Sequence, residues 1–455
     1  MKKFTLLLSP SLYATLTAFA GDWGLQGSGT QTDPYQISSA SEFAKIAEKI
    51  SATNTGEGEY FKVMNDIDFG GTSANPAQLP AIGKSAITNV TTVAWGFEGT
   101  LDGDNHEIKG IYHTNNTNTK DGQFNAIFSS LGENGVIKNL IFGKDNYVTS
   151  YNYVAPFVSI SKGTIENCIN NADITATNAF ASGICGQMIG GKGTIIGCIN
   201  NGNISAMTYA VGIIAGTQSG TVVSDYAYLV DGCINNGTMS TLNDVGVAGI
   251  AGSYSGALID CTNNGDINGY ANGKSTAQYA AGIVASVSYP VKISGCENNG
   301  KVSGIKNVAG ILAMVMAGDK SAFAITDCKN YGEVSSSGDY VAGIIANTMR
   351  GSADEQLVSV SDCYNGAKVS STSETSFIGN IRGTEAIALG DGNSIEEGLT
   401  RYNLDENIGN SNIIDTIVSN EDNSLKDGKY IIDGEIIIIH NGNFVNLQGI
   451  ELRKQ

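Results

Sequence analysis

From about residue 160 to residue 371, apolar and polar positions recur in one order, with a period of about 32 residues. The segments GTIENCINNADIT, GTIIGCINNGNIS, VDGCINNGTMS, LIDCTNNGDIN, ISGCENNGKVS, ITDCKNYGEVS and VSDCYNGAKVS are copies of one tile. Their cysteines are Cys168, Cys198, Cys233, Cys261, Cys296, Cys328 and Cys363, at intervals of 30, 35, 28, 35, 32 and 35 residues. Two positions after each cysteine stands an asparagine: Asn170, Asn200, Asn235, Asn263, Asn298, Asn330 and Asn365. Six positions after it comes an apolar residue, from Ile174 to Val369. Between tiles runs a second short apolar strand, SGIC, VGII, AGIA, AGIV, AGIL or AGII. Two or three short strands per period, separated by turn residues, predict one coil of a parallel β-solenoid.

The same rhythm starts earlier without the cysteine. GVIKNLIF aligns with GTIENCIN and puts Leu140 where Cys168 stands, so the slot is expected to be an inward, apolar one. In a parallel coil, equivalent residues stack at about 4.8 Å. Stacked asparagines can donate and accept amide hydrogen bonds along the axis, whereas stacked carboxylates would repel. Stacked cysteines hold their Cβ vectors parallel, and a disulfide needs them turned toward each other. The seven tile cysteines, and Cys185 in the second strand, are therefore expected as buried free thiols. With no histidine near them, zinc binding and thiol catalysis are not expected, and no cofactor is implied.

These motifs resemble the GLUG repeat of bacterial surface β-helices, most fully in ASGICGQMIGGKGTIIGCINNGNIS. DPYQISSASEFAKIA, FKVMNDIDFGG and FEGTLDGDNHEIKGI are similar to the segment preceding such repeats in adhesin-like and protease-associated β-helix proteins, and the whole resembles such surface proteins of Bacteroidetes. The resemblance spans roughly residues 27–380 and implies an all-β, right-handed parallel β-helix. It speaks to fold, since the motif is a structural one.

The flanks divide the chain further. Lys2 and Lys3, an apolar run and Ala18-Phe19-Ala20 have the order of a secretory signal peptide over residues 1–20. Residues 21–69 read as an N-terminal cap and first coil, 70–382 as the solenoid, and 383–427 as a last coil or linker. Ser39 and Glu42 have capping-box spacing. Phe43, Ile46, Ala47 and Ile50 follow with helical periodicity, so residues 40–51 are expected to form an amphipathic helix covering the first coil. Over 428–455, Asn441-Gly442 separates two apolar runs as in a β-hairpin. That segment, with Arg453-Lys454 near its end, also resembles the sorting signal of type IX secretion.

Composition limits partners. Twenty-six basic against 44 acidic residues give a net charge of −18. This disfavours nucleic acid and anionic lipid, and no apolar run reaches the ~18 residues of a membrane span. The expected setting is extracellular or on the cell surface, and the expected partner a glycan or a host surface or matrix protein.

Two features are candidates for contacting it. Length varies mainly after the glycine of the second strand, in loops near 218–229 (with Tyr226 and Tyr228), 316–323 and 347–356, with one more near 270–278. Three positions before that glycine, or its equivalent, stand Tyr153, Phe180, Tyr209, Tyr279 and Tyr340, with Gly246 and Asn307 as gaps. Outside, such a column could grip a glycan by ring stacking; inside, it would be packing. Alternation in this strand does not choose between them. The acidic residues Asp231, Asp260, Asp327 and Asp362 fall singly at turns. The cluster Asp102, Asp104, His106 and Glu107 is the densest, and the LGDGNSIEE stretch (389–397) only faintly resembles a calcium loop. No catalytic residue and no metal site is assigned. The reading is an adhesin or ligand-binding scaffold, with a β-helix polysaccharide lyase or glycosidase as the alternative and a structural surface component as a third.

Overall fold

The computed structural model describes residues 23–371 apart from Val90, 219–227, 242–244, 270–277, 317–322, 339 and 349–357. Beyond them it describes the strands Ile378–Ile381, Ile387–Leu389, Ser394–Ile395, Gly428–Ile432, Glu435–His440 and Asn443–Val445. The signal-peptide segment, Tyr226, the Asn441-Gly442 turn and Arg453-Lys454 lie outside the described residues, as do most of residues 383–427 and of the four variable loops.

The chain winds as a parallel β-solenoid. The turn containing Cys168 shows the unit: strands Thr164–Glu166, Ile169–Asn170, Ile174–Ala176, Phe180–Ser182 and Cys185–Met188. Each pairs in parallel with its counterpart one turn on, residue on residue, as in Ile169 with Ile199 and Cys185 with Ile214. Five strands per turn exceed the two or three expected. The extra ones are two to four residues long, too short for an alternation signal in sequence.

One sheet stacks 11 two- or three-residue strands, Ile67–Asp68 first and Ser394–Ile395 last; a second stacks nine. At about 4.8 Å per rung, eleven rungs extend about 48 Å. Seven of those rungs carry the cysteine.

Bends between strands explain the small residues beside each cysteine. The position just before each tile cysteine, and before Leu140, has positive φ: Asn139 (54°), Asn167 (52°), Gly197 (61°), Gly232 (61°), Asp260 (50°), Gly295 (66°), Asp327 (52°) and Asp362 (55°). Only glycine, asparagine and aspartate enter this left-handed region readily. The single acidic residues Asp260, Asp327 and Asp362 are thus turn residues.

Inside, like stacks on like. Ile165, Ile195, Val230, Leu258, Ile293, Ile325 and Val360 form one column with no exposure, and Ile174, Ile204, Met239, Ile267, Val302 and Val334 another. Leu140 is fully buried at the head of the cysteine column. All eight cysteines are free and buried. Each tile thiol donates to the carbonyl two residues before it, for example Cys168 Sγ to Glu166 O at 3.4 Å. Burial pushes the Cys185 thiol up to about 12 and raises Cys198, Cys261 and Cys296 too.

A helix, Ala40–Lys49, precedes the first rungs. Ser39 Oγ accepts from Glu42 N at 3.3 Å, and Glu42 Oε2 accepts from Ser38 N at 2.8 Å, a reciprocal cap that satisfies two end N–H groups. Phe43 and Ile46 are buried, with Phe43 edge-on to Phe69 and Phe128. Near the C-terminus, strand Glu435–His440 pairs antiparallel with Gly428–Ile432 and with Asn443–Val445. Among the described residues no helix is long and apolar enough to cross a membrane.

Candidate functional site

The tile asparagines point inward. Asn170 Nδ2 donates to Asn200 Oδ1 at 2.7 Å, and the same bond at 2.7 Å links Asn200, Asn235, Asn263, Asn298, Asn330 and Asn365 in order. The second N–H of each amide reaches the carbonyl two residues on, as in Asn298 to Gly300 at 2.9 Å. Both amide protons are used, and the row is buried. Phe142, fully buried, takes the ladder position one rung before Asn170. The glycine of the second strand makes room for the row: a Cβ on Gly282 would lie 2.2 Å from Asn298 Cγ, and Gly183, Gly212, Gly249, Gly310 and Gly343 stand likewise. These asparagines are enclosed and reach no ligand.

A second amide row runs outside, one residue along. Asn201 Nδ2 donates to Asn171 Oδ1 at 2.8 Å, and Asn236, Asn264 and Asn299 each donate to the rung before at 2.8–3.0 Å. Each of these asparagines is the second of an Asn-Asn pair, so the row was readable in the tile once the first asparagine was placed inside.

The acidic cluster is occupied by turn and ion-pair contacts. Asp102 Oδ1 accepts from Asp104 N and Asn139 Nδ2, each at 3.0 Å, and Lys138 lies 3.4 Å from its other oxygen. Burial would raise the Asp102 pKa, but these contacts hold it below the usual range. Lys62 pairs with Asp104 at 2.9 Å. Asp66 takes the Glu107 N–H at 3.0 Å, which lowers its pKa, and faces His106 at 3.4 Å. Among the described residues no three His, Cys, Asp or Glu side chains converge as a metal site.

The aromatic column is different in kind. Tyr153 and Phe180 stack at 4.6 Å between centroids with an 18° tilt, and Phe180 and Tyr209 at 5.2 Å and 3°. Phe124, which the repeat did not reach, extends the stack below Tyr153 at 5.3 Å and 15°. The column lies outside the main core. Tyr209 clusters with Val211, Ala215, Ala248 and Ala285, and Phe180 and Tyr279 pack against them; Tyr340 packs on Ala309, Ala342 and Ala346. Val211 and Ala215 belong to consecutive strands, and the rings of the column pack over these small buried residues. Tyr153, Phe180, Tyr279 and Tyr340 keep part of their surface in solvent, while Tyr209 is 7% exposed.

Gaps in the column are filled by neighbours. A Cβ on Gly246 would lie 2.3 Å from Tyr209 Cε1, so that ring leans over the glycine. Asn307 accepts from Asn347 Nδ2 at 2.8 Å. Phe124, Tyr153, Asn307 and Tyr340 have φ of 57°, 50°, 52° and 64°. Bulky residues seldom stay in this region unless their surroundings hold them there. Burial pushes the Tyr153 phenol up to about 12 and raises Tyr209 and Tyr279, so the hydroxyls remain donors.

Tyr228 corrects its sequence assignment. It is fully buried in the main core and its hydroxyl accepts from Gly191 N at 2.9 Å, so it packs and does not face a ligand.

No protein-family model matches the chain. Over 142 residues it is 30% identical to a "Putative Gly-rich membrane protein" of Evansella cellulosilytica, covering 30% of this chain and 13% of that one. Over 152 residues it is 27% identical to Halomucin of Haloquadratum walsbyi, covering 33% of this chain and 2% of that one. The chain thus spans only a small part of these relatives. Among solved structures, a "putative immunoglobulin A1 protease" from Bacteroides ovatus aligns over 85% of this chain and 82% of that chain, at 15% identity and a TM-score of 0.33.

Proposed function

We propose that this chain is a secreted or cell-surface adhesin-type scaffold, and that the aromatic column binds an extracellular glycan or a host surface or matrix protein. The observation carrying the reading is the stack Phe124–Tyr153–Phe180–Tyr209, continued by Tyr279 and Tyr340, held outside the main core. Stacked on one another, the rings turn their edges outward, so a sugar or peptide would meet apolar ring edges and protonated hydroxyl donors. The acidic side chains sit in turns and ion pairs, which supports binding over turnover. In the same reading the helix Ala40–Lys49 closes the first rung, the winding is right-handed as parallel crossovers are, and the C-terminal strands belong to a sorting element of the type IX kind.

A glycan and matrix-protein array probed with the full chain tests this. Tyr279→Ala and Tyr340→Ala are expected to weaken the binding about tenfold each, the ~1.4 kcal/mol scale of one ring contact. Binding unchanged in both variants would remove the aromatic column from consideration. Unsaturated products or new reducing ends from a bound polysaccharide would favour the lyase or glycosidase, and self-assembly without any ligand the structural component.

A further inference from the structure

We propose that Lys84 and Asn125 become joined by an intramolecular isopeptide bond. Lys84 Nζ donates to Asn125 Oδ1 at 2.6 Å and to Asp121 O at 2.7 Å, placing the amine beside the amide carbon. Backbone on both sides fixes that approach: Ala81 N donates to Ala126 O at 3.1 Å, and Ile82 N to Ile127 O at 2.9 Å. Ser130 Oγ adds a bond to Gly83 O at 2.9 Å. Two groups held in register this way react as if at very high local concentration.

The surroundings suit the amine as a nucleophile. Asn125 is 1% exposed, and Lys84 makes no ion pair among the described residues, with Asp121 acting on it only at a distance. His113, which feels the charge of Lys84, is buried with both ring nitrogens unpartnered. A largely buried ammonium without a carboxylate is costly; a neutral amide removes that cost. Burial lowers Lys84 to about 8, so roughly one amine in ten is unprotonated near pH 7.

In the reaction, the Lys84 Nζ lone pair attacks Asn125 Cγ and a C–N bond forms. The proton shed by Nζ passes to Nδ2, the Cγ–Nδ2 bond breaks, and ammonia leaves. Asn125 Nδ2 donates to Ser150 Oγ at 2.7 Å and to Asp121 O at 3.0 Å, which holds the leaving nitrogen in place. Amine plus carboxamide gives secondary amide plus ammonia, and no other reactant is needed.

Intact-mass measurement and peptide mapping of the full chain decide it. The expected result is a chain one ammonia lighter than its sequence, with a branched peptide joining the segments that hold Lys84 and Asn125. Both changes are expected to vanish in Lys84→Arg and in Asn125→Ala. Lys84 and Asn125 recovered only in separate linear peptides would overturn the proposal, whether or not those variants fold. So would a missing ammonia that persists in Lys84→Arg, because Asn-Gly pairs lose ammonia by cyclising on their own backbone.

Discussion

His113 occupies an inward position: its strand neighbour one turn on is Val148, and the imidazole is 4% exposed. Burial lowers its pKa to about 4. The unfolded chain binds a proton near pH 6.5 and the folded chain does not until about pH 4. Stability from the neutral ring is therefore complete above pH 6.5 and lost as pH falls toward 4, a loss of about 3 kcal/mol. Denaturant titrations at pH 7 and pH 4 should show it, and His113→Phe should flatten the difference. Tyr153 works at the other limit. Its folded phenol holds the proton to about pH 12, so stability present below pH 10 falls as pH rises toward 12, a loss that Tyr153→Phe should remove. In mid-ladder, Asn263→Ala removes donors to Asn298 and Gly265 and an acceptor for Asn235. Stranding buried amide and carbonyl groups should cost about 2–4 kcal/mol, measurable as a lower denaturation midpoint.

At the level of strands and bends, two glycines that look alike in sequence do different work. Gly282 lacks room, since a Cβ would meet Asn298 and the Gly310 carbonyl at 2.2 and 2.3 Å. Gly232 has open space but a φ of 61°. Gly282→Ala should thus cost about 2–3 kcal/mol by overpacking. Gly232→Asn should be nearly neutral, because Asn167 holds the same bend at 52°. Equal losses from both would mean that space and backbone conformation had been assigned wrongly. The same pair shows what was readable. Offsets from the cysteine, fixed by the two-residue side-chain period, placed the core columns and the inner amide row correctly. The corner glycine was visible only as a marker, because its reason lies across the lumen in the next turn. Tyr228 was misplaced since a tyrosine in a variable loop shows no period, and nothing local announces Gly191 as its partner. The aromatic column was found by spacing, but its side of the wall was not, because its strand is apolar on both faces and alternation does not choose between them.

For the molecule as a whole, the rungs repeat a single solution, so its chemistry should be uniform along the axis. All eight thiols are enclosed, and burial holds thiols such as Cys185 in the unreactive protonated form. A thiol reagent should label none of them in the native chain and all eight after denaturation; one fast-reacting cysteine would point to an open rung. The two amide rows carry a further implication. In the inner row every Nδ2 points to the following turn, and in the outer row every Nδ2 points to the preceding one. Each row alone is a string of aligned dipoles whose end-to-end field grows with every added rung. Running in opposite senses, they largely cancel. Where both rows run, from Asn170 to Asn299, an added rung therefore builds up little net dipole from these amides; past it, where Tyr331 and Gly366 replace the outer asparagine, only the inner row continues.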